Sequence, residues 1–195
     1  MTFRDEVRDI ALQSFAPREA GAFYGSAERL SPGAGVIYQN ITYPRFNSET
    51  GRFFAGRGHV LVLTHECDID PANERDFNEY FVAAPLILLE DFADAYENDN
   101  RKEIAKSLAS AVAKDKVQRL FYLPPADPLA GVPALAYGAL IYWNQLTSAH
   151  ISQFRTEGVS AMCALSEYAM RHADRHFESH FLRPKSEQLP RLGLA

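Results

Sequence analysis

The chain has 195 residues, 47% of them hydrophobic, with 13 Phe and 9 Tyr. That is enough for one domain burying roughly 70% of its unfolded surface, with no need of a metal or disulfide to fold. No apolar run approaches the ~20 residues of a membrane helix, and the two distant cysteines, Cys67 and Cys163, form no disulfide pattern, so the expected setting is cytoplasmic, with reduced thiols. The net charge of −5 argues against a uniformly basic nucleic-acid binder, but it is uneven: twelve acids against three bases between Thr64 and Glu103, then a basic stretch at Lys106, Lys114, Lys116 and Arg119.

In chain order, Thr2 is placed to cap a helix running to about Phe15, with Val7, Ile10, Ala11 and Ser14 at helical spacing and Pro17 as its stop. The amphipathic, charged start lacks the apolar core of a signal peptide. Short strands are expected near Ala22–Tyr24 and Val36–Tyr43, followed by a loop, Asn47–Gly58. His59–His65 is the clearest strand, β-branched and apolar on both faces. An acidic loop, Glu66–Glu79, leads to a strand at Tyr80–Leu89. Helices follow at Asp91–Asn100 and Arg101–Lys114, strands at Val117–Leu123 and Leu135–Trp143, and a long helix at Ser160–Leu182. Strands and helices do not alternate regularly. The pattern predicts an α+β domain over residues 1–183, a small, mostly antiparallel sheet or barrel with a helical insertion at about 90–115, and a tail at 184–195.

The segment with most chemistry is Thr64-His-Glu-Cys-Asp-Ile-Asp70, at the end of a buried strand, where a rigid element can position exposed groups. Cys67 with His65 has the elements of a nucleophile and base, although Glu66, Asp68 and Asp70 oppose formation of a thiolate. His65, Cys67, Asp68 and Asp70 are also metal-ligand types, and zinc is the metal such a set would take. A calcium loop fits Asp68, Asp70, Glu74, Asp76 and Glu79 but has Ala72 and Asn73 where a ligand and the turn glycine belong. Alternatively the acids shape a binding loop, with Asp70 among its contacts, or Cys67 is simply a small core residue and Asp68 caps a turn.

His172, His176 and His180 recur at four-residue spacing on the closing helix. They share a face with Met162, Leu165, Ala169 and Ala173, opposite Glu167, Arg171, Asp174 and Glu178. Two of them, His172 and His176, have zinc spacing and with His65 and Cys67 would make a joint site of a zinc-binding protein, but the glutamate of a metalloprotease helix is absent, and packing against aromatics is the plainer role. Arg52 and Arg57 lie among glycines and phenylalanines in Thr50–Gly58, a combination suited to phosphate and base contact or to a solvated loop.

Gly58-His-Val-Leu-Val-Leu-Thr-His-Glu-Cys-Asp-Ile69 resembles the strand followed by Ser/Thr-x-x-Cys-Asp-Ile found in bacterial and phage proteins whose layout is similar to the MazF/PemK-type toxin barrel. The closing segment, Ala164–Tyr168 through His180–Arg183, is similar in character to the last helix of such proteins. The resemblance spans about 55–90 and 117–183. It implies an SH3-like barrel and a mobile-element, phage-defence or toxin–antitoxin setting. In the toxins an Arg and a Thr or Ser near the sheet edge cleave RNA, and Arg57 and Thr64 are the nearest counterparts here. The acidic loop and the helical insertion depart from that pattern. The sequence therefore favours a binding or regulatory module, with a ribonuclease-like or Cys-dependent hydrolase using Arg57, Thr64, Cys67 and Asp68 as the alternative. A protein or nucleic-acid partner is expected, no membrane, and a homodimer through Tyr142 and Trp143 unless these fill the core.

Overall fold

A computed structural model describes residues 1–13, 22–25, 31–70, 79–126 and 135–182. The first element, α1 (Phe3–Leu12), begins at the expected cap: the Thr2 side chain accepts from the Asp5 N–H while the Asp5 carboxylate accepts from the Thr2 N–H. Val7 and Ala11 are buried as their spacing predicts. Strand β1 (Val36–Asn47) pairs antiparallel with β2 (Arg52–Val62), so the expected loop at 47–58 is largely a strand; only residues 48–51 turn. A short helix α2 (Glu66–Ile69), β3 (Tyr80–Leu88), α3 (Leu89–Asn98), α4 (Lys102–Ala113), β4 (Leu120–Leu123) and β5 (Ala139–Tyr142) follow. The chain then makes β6 (Thr147–His150), β7 (Ser160–Ala164) and α5 (Glu167–Phe181). The expected strand at Ala22–Tyr24 is reduced to one bridge, Tyr24 to Leu165.

The fold is α+β, with a seven-stranded antiparallel sheet in the order β4-β5-β3-β2-β1-β7. On its free side β3 pairs with β5 through Leu86–Leu88 and with β6 through Tyr80–Ala83. In effect β5 and β6 are one antiparallel strand interrupted by a 3-10 turn, Trp143–Gln145, which sends Trp143 into the core at 1% exposure. That burial removes Trp143 as a surface for a dimer.

The expected barrel is not closed. β6 approaches β1, but at Thr42 the edge of β1 is met by a side chain from the 3-10 turn after β6, Ile151–Arg155: the Thr42 N–H donates to Gln153 Oε1 (2.7 Å), and Gln153 Nε2 donates to the Thr42 carbonyl. Two residues further along the same edge, Pro44 has no N–H to offer a ladder. A bulge at Gln39–Asn40 (Asn40 φ 63°) bends β1, and beyond it the hairpin arm projects.

Period-2 alternation explains why β1 and β2 are apolar on both sides. Val36, Tyr38, Val60 and Val62 join Phe81 inside the curl, whereas Ile37 and Leu61 face the layer under α5 with Trp143, Ala169 and Ala173. A third cluster packs α1, α3 and α4 on Leu120, Tyr122 and Leu140. Truncating an anchor such as Phe81 or Trp143 to Ala is worth about 3–5 kcal/mol at sites of this kind. Among the described residues no helix is long and apolar enough to cross a membrane. The predicted tail at 184–195 lies outside the described residues.

Candidate functional site

Strand β2 ends because its next acceptor is a side chain. The Leu63 N–H donates to the Val82 carbonyl at 2.9 Å, and the Val82 N–H is then taken by Thr64 Oγ at 2.7 Å rather than by backbone. The chain turns into α2, which His65 caps: its Nδ1 accepts from the Cys67 N–H at 3.2 Å. In a neutral imidazole this leaves the proton on Nε2. Ile69 is buried in the curl and anchors the turn, while His65, Glu66, Cys67 and Asp70 are exposed and Asp68 is intermediate. The helical turn at 66–69 replaces the start of the calcium loop, whose residues 71–78 lie outside the described residues.

Opposite this turn runs the segment 31–36. A Cβ on Gly33 would sit 2.9 Å from Glu66 Cβ, so only glycine allows this approach. Gly35 has φ +87° and faces Met170 Sδ, with its N–H on the Val62 carbonyl (2.9 Å) and its carbonyl accepting from the Leu165 N–H (2.8 Å). The first turns of α5 form the third wall through Glu167, Met170 and Arg171, with Glu167 and Arg171 3.9 Å apart. Together these walls enclose an open cleft of about 1150 Å³. Among the described residues its rim carries the carboxylates of Glu66, Asp70 and Glu167 against one guanidinium, that of Arg171, which suits a cationic or donor-rich ligand.

The other candidate residues lie elsewhere. Arg57 is exposed on β2, with its Nε–H on the Asn40 carbonyl (3.2 Å), and Arg52 is exposed near the hairpin tip; neither lines the cleft. Cys163 is buried in β7, and burial pushes its thiol up to about 12. His172 is exposed against Tyr168, their ring centroids 4.5 Å apart, and His180 Nε2 lies 2.5 Å from Asn144 Oδ1.

His176 is the inward member of the row. The Trp143 indole N–H donates to its Nδ1 at 2.8 Å, and its Nε2 lies 3.1 Å from Asp115 Oδ1. Burial lowers its pKa from 6.5, opposed by Asp115 and aided by His180. Both nitrogens are engaged, which leaves no lone pair for a metal. His172 and His176 line a separate cleft of about 380 Å³, away from His65 and Cys67, and no group of three metal-ligating side chains occurs among the described residues. The zinc set His65–Cys67–His172–His176 is therefore not assembled.

Sequence reasoning missed two of the three walls. The Pro32-Gly33-Ala34-Gly35 run was a signal for the first, as two glycines so close often mark a tight backbone approach. Glu167 and Arg171 left no signal, since their position depends on where α5 begins. Compared with protein-family models, curated proteins and solved structures, the chain matches none.

Proposed function

We propose that this protein is a binding or regulatory module whose ligand seat is the cleft between His65–Asp70 and α5. The observation that carries this reading is the convergence of the strand-end turn, the glycine-lined 31–36 segment and the start of α5 on one cleft. A bacterial or phage-associated setting of mobile elements or defence follows from the resemblance of Gly58–Ile69 and is proposed with it.

Two hydrogen bonds favour binding over hydrolysis. Thr64 Oγ is committed to the Val82 N–H, and His65 Nδ1 to the Cys67 N–H, so that nitrogen cannot take the thiol proton while the turn persists. Arg57, the nearest counterpart of the toxin arginine in the resemblance, does not line the cleft.

The test is a thermal-shift panel of cationic metabolites and short basic peptides beside anionic analogues. A cationic ligand at a hundredfold excess over Kd adds about 2.7 kcal/mol, or roughly 5–10 °C for a chain of this size. The Glu66→Lys/Asp70→Lys variant should lose that shift. A panel in which only anions stabilise the protein, or nothing does, would sink the proposal.

A further inference from the structure

The projecting hairpin arm has no role in the cleft. From Pro44 and its partner Ala55 outward both its faces are open: Phe46, Phe53 and Phe54 are 57%, 75% and 48% exposed, and Tyr80 beside it is 61% exposed. Three bulky rings on a two-stranded arm are costly to leave in water, and apolar exposure of this kind marks an interaction surface. Phe46 and Phe53 are cross-strand partners with centroids 5.2 Å apart. Phe54 lies on the opposite face and, with Tyr80 and His150, lines a groove of about 420 Å³.

The arm is also locally cationic. Between Ile41 and Gly58 stand Arg45, Arg52 and Arg57 against one acid, Glu49, so the arm is +2 in a chain of −5. No carboxylate pairs with any of the three arginines among the described residues. Two are held by the strand itself: Arg57 by the Asn40 carbonyl, and Arg45 across the space that Gly56 leaves open, where a Cβ would meet its Cδ at 2.1 Å. Glycine at 56 thus serves an arginine rather than flexibility.

We infer that this arm binds single-stranded nucleic acid, with bases stacked on Phe53, Phe46 and Phe54 and phosphates met by Arg45, Arg52 and Arg57. The partner must offer flat apolar faces and regularly spaced negative charge together. A single strand has both, a duplex hides its base faces, and an acidic peptide supplies only the charge. Binding is independent of the cleft and requires no catalysis.

Fluorescence anisotropy of labelled 12-nucleotide single-stranded RNA, single-stranded DNA and duplex DNA, titrated with the full chain at several salt concentrations, tests this. The single strands should bind more tightly than the duplex, and preference between RNA and DNA identifies the natural ligand. Phe53→Ala should weaken binding roughly ten- to a hundredfold, the loss of stacking for one base. Arg52→Gln should reduce the salt slope by about 0.7, the loss of one phosphate contact to a single strand. Both side chains are exposed, and matching circular dichroism melts would show that the variants fold. The inference is overturned by no single-strand binding at about 100 µM protein and 50 mM salt, or by binding indifferent to Phe53→Ala. It is equally overturned if a poly-Glu peptide binds better than either strand, or if the arm forms a dimer that Phe53→Ala dissolves.

Discussion

Cys67 and Cys163 are the same residue in opposed surroundings. Cys67 is exposed on the cleft turn, whereas Cys163 lies in β7 at 5% exposure with its thiol pushed up to about 12 by burial. A maleimide should therefore add once to the folded protein, at Cys67, and twice after denaturation, as intact mass would record. Two rapid additions to the native state would contradict the burial of β7. At this scale the sequence was readable where chemistry is local. Thr2 caps α1 as its position implies, and the acidic surroundings of Cys67 are as the order of residues implies. What was not readable is which hydrogen bond a side chain makes. Thr64 was a catalytic candidate through the toxin resemblance, and only the fold shows its hydroxyl accepting from the Val82 N–H where the strand ends.

The elements recovered best were those with strong period: α1, β3, α3 and α4 all fall within a few residues of their expected bounds. Two misreadings share one cause, tertiary pairing overriding local preference. Residues 52–58 looked like a loop because of Gly51, Gly56 and Gly58, but Gly56 makes room for Arg45 in a regular ladder. The closing helix looked longer because Ser160–Ala164 is compatible with a helix, yet Ile37 pairs with Cys163, and Ser166, accepting from the Ala169 N–H, starts α5 afresh. β6 was missed altogether, being four residues that become a strand only beside Tyr80–Ala83. The side-chain bridge from Gln153 to Thr42 makes a prediction at this level. Gln153→Ala should speed hydrogen exchange of the Thr42 amide while leaving Val60 and Leu61 protected. Unchanged exchange at Thr42 would mean that the seam between β1 and β6 is held by something else.

Across the whole molecule the three apolar clusters are joined through the sheet, and α5 is fastened to it partly by His176. The His176 pKa is lowered, so on acidification the unfolded chain takes up a proton first. This contribution to stability is complete above pH 6.5 and declines as pH falls from 6.5 to the lowered folded value. His59, lowered by burial against the opposing effect of Asp91, acts in the same sense. His176→Gln keeps an acceptor for Trp143 but cannot titrate. Its urea-melt stability should vary less between pH 7 and 5 than that of the parent, by about 1.4 kcal/mol for each pH unit of displacement. Parallel pH profiles would refute the role assigned to His176.

Trp143 is the chain's single tryptophan, and it is fully buried with its indole bonded to His176. Tryptophan emission, excited at wavelengths where the nine tyrosines do not absorb, is therefore a report from one joint, the seat of α5 on the interrupted strand, rather than an average over the molecule. An experimenter gains a native optical gauge of that joint without adding a dye. Loosening of α5 would redden and quench the signal even while the hairpin and the helices α1, α3 and α4 stayed folded, so fluorescence and circular dichroism need not report the same event.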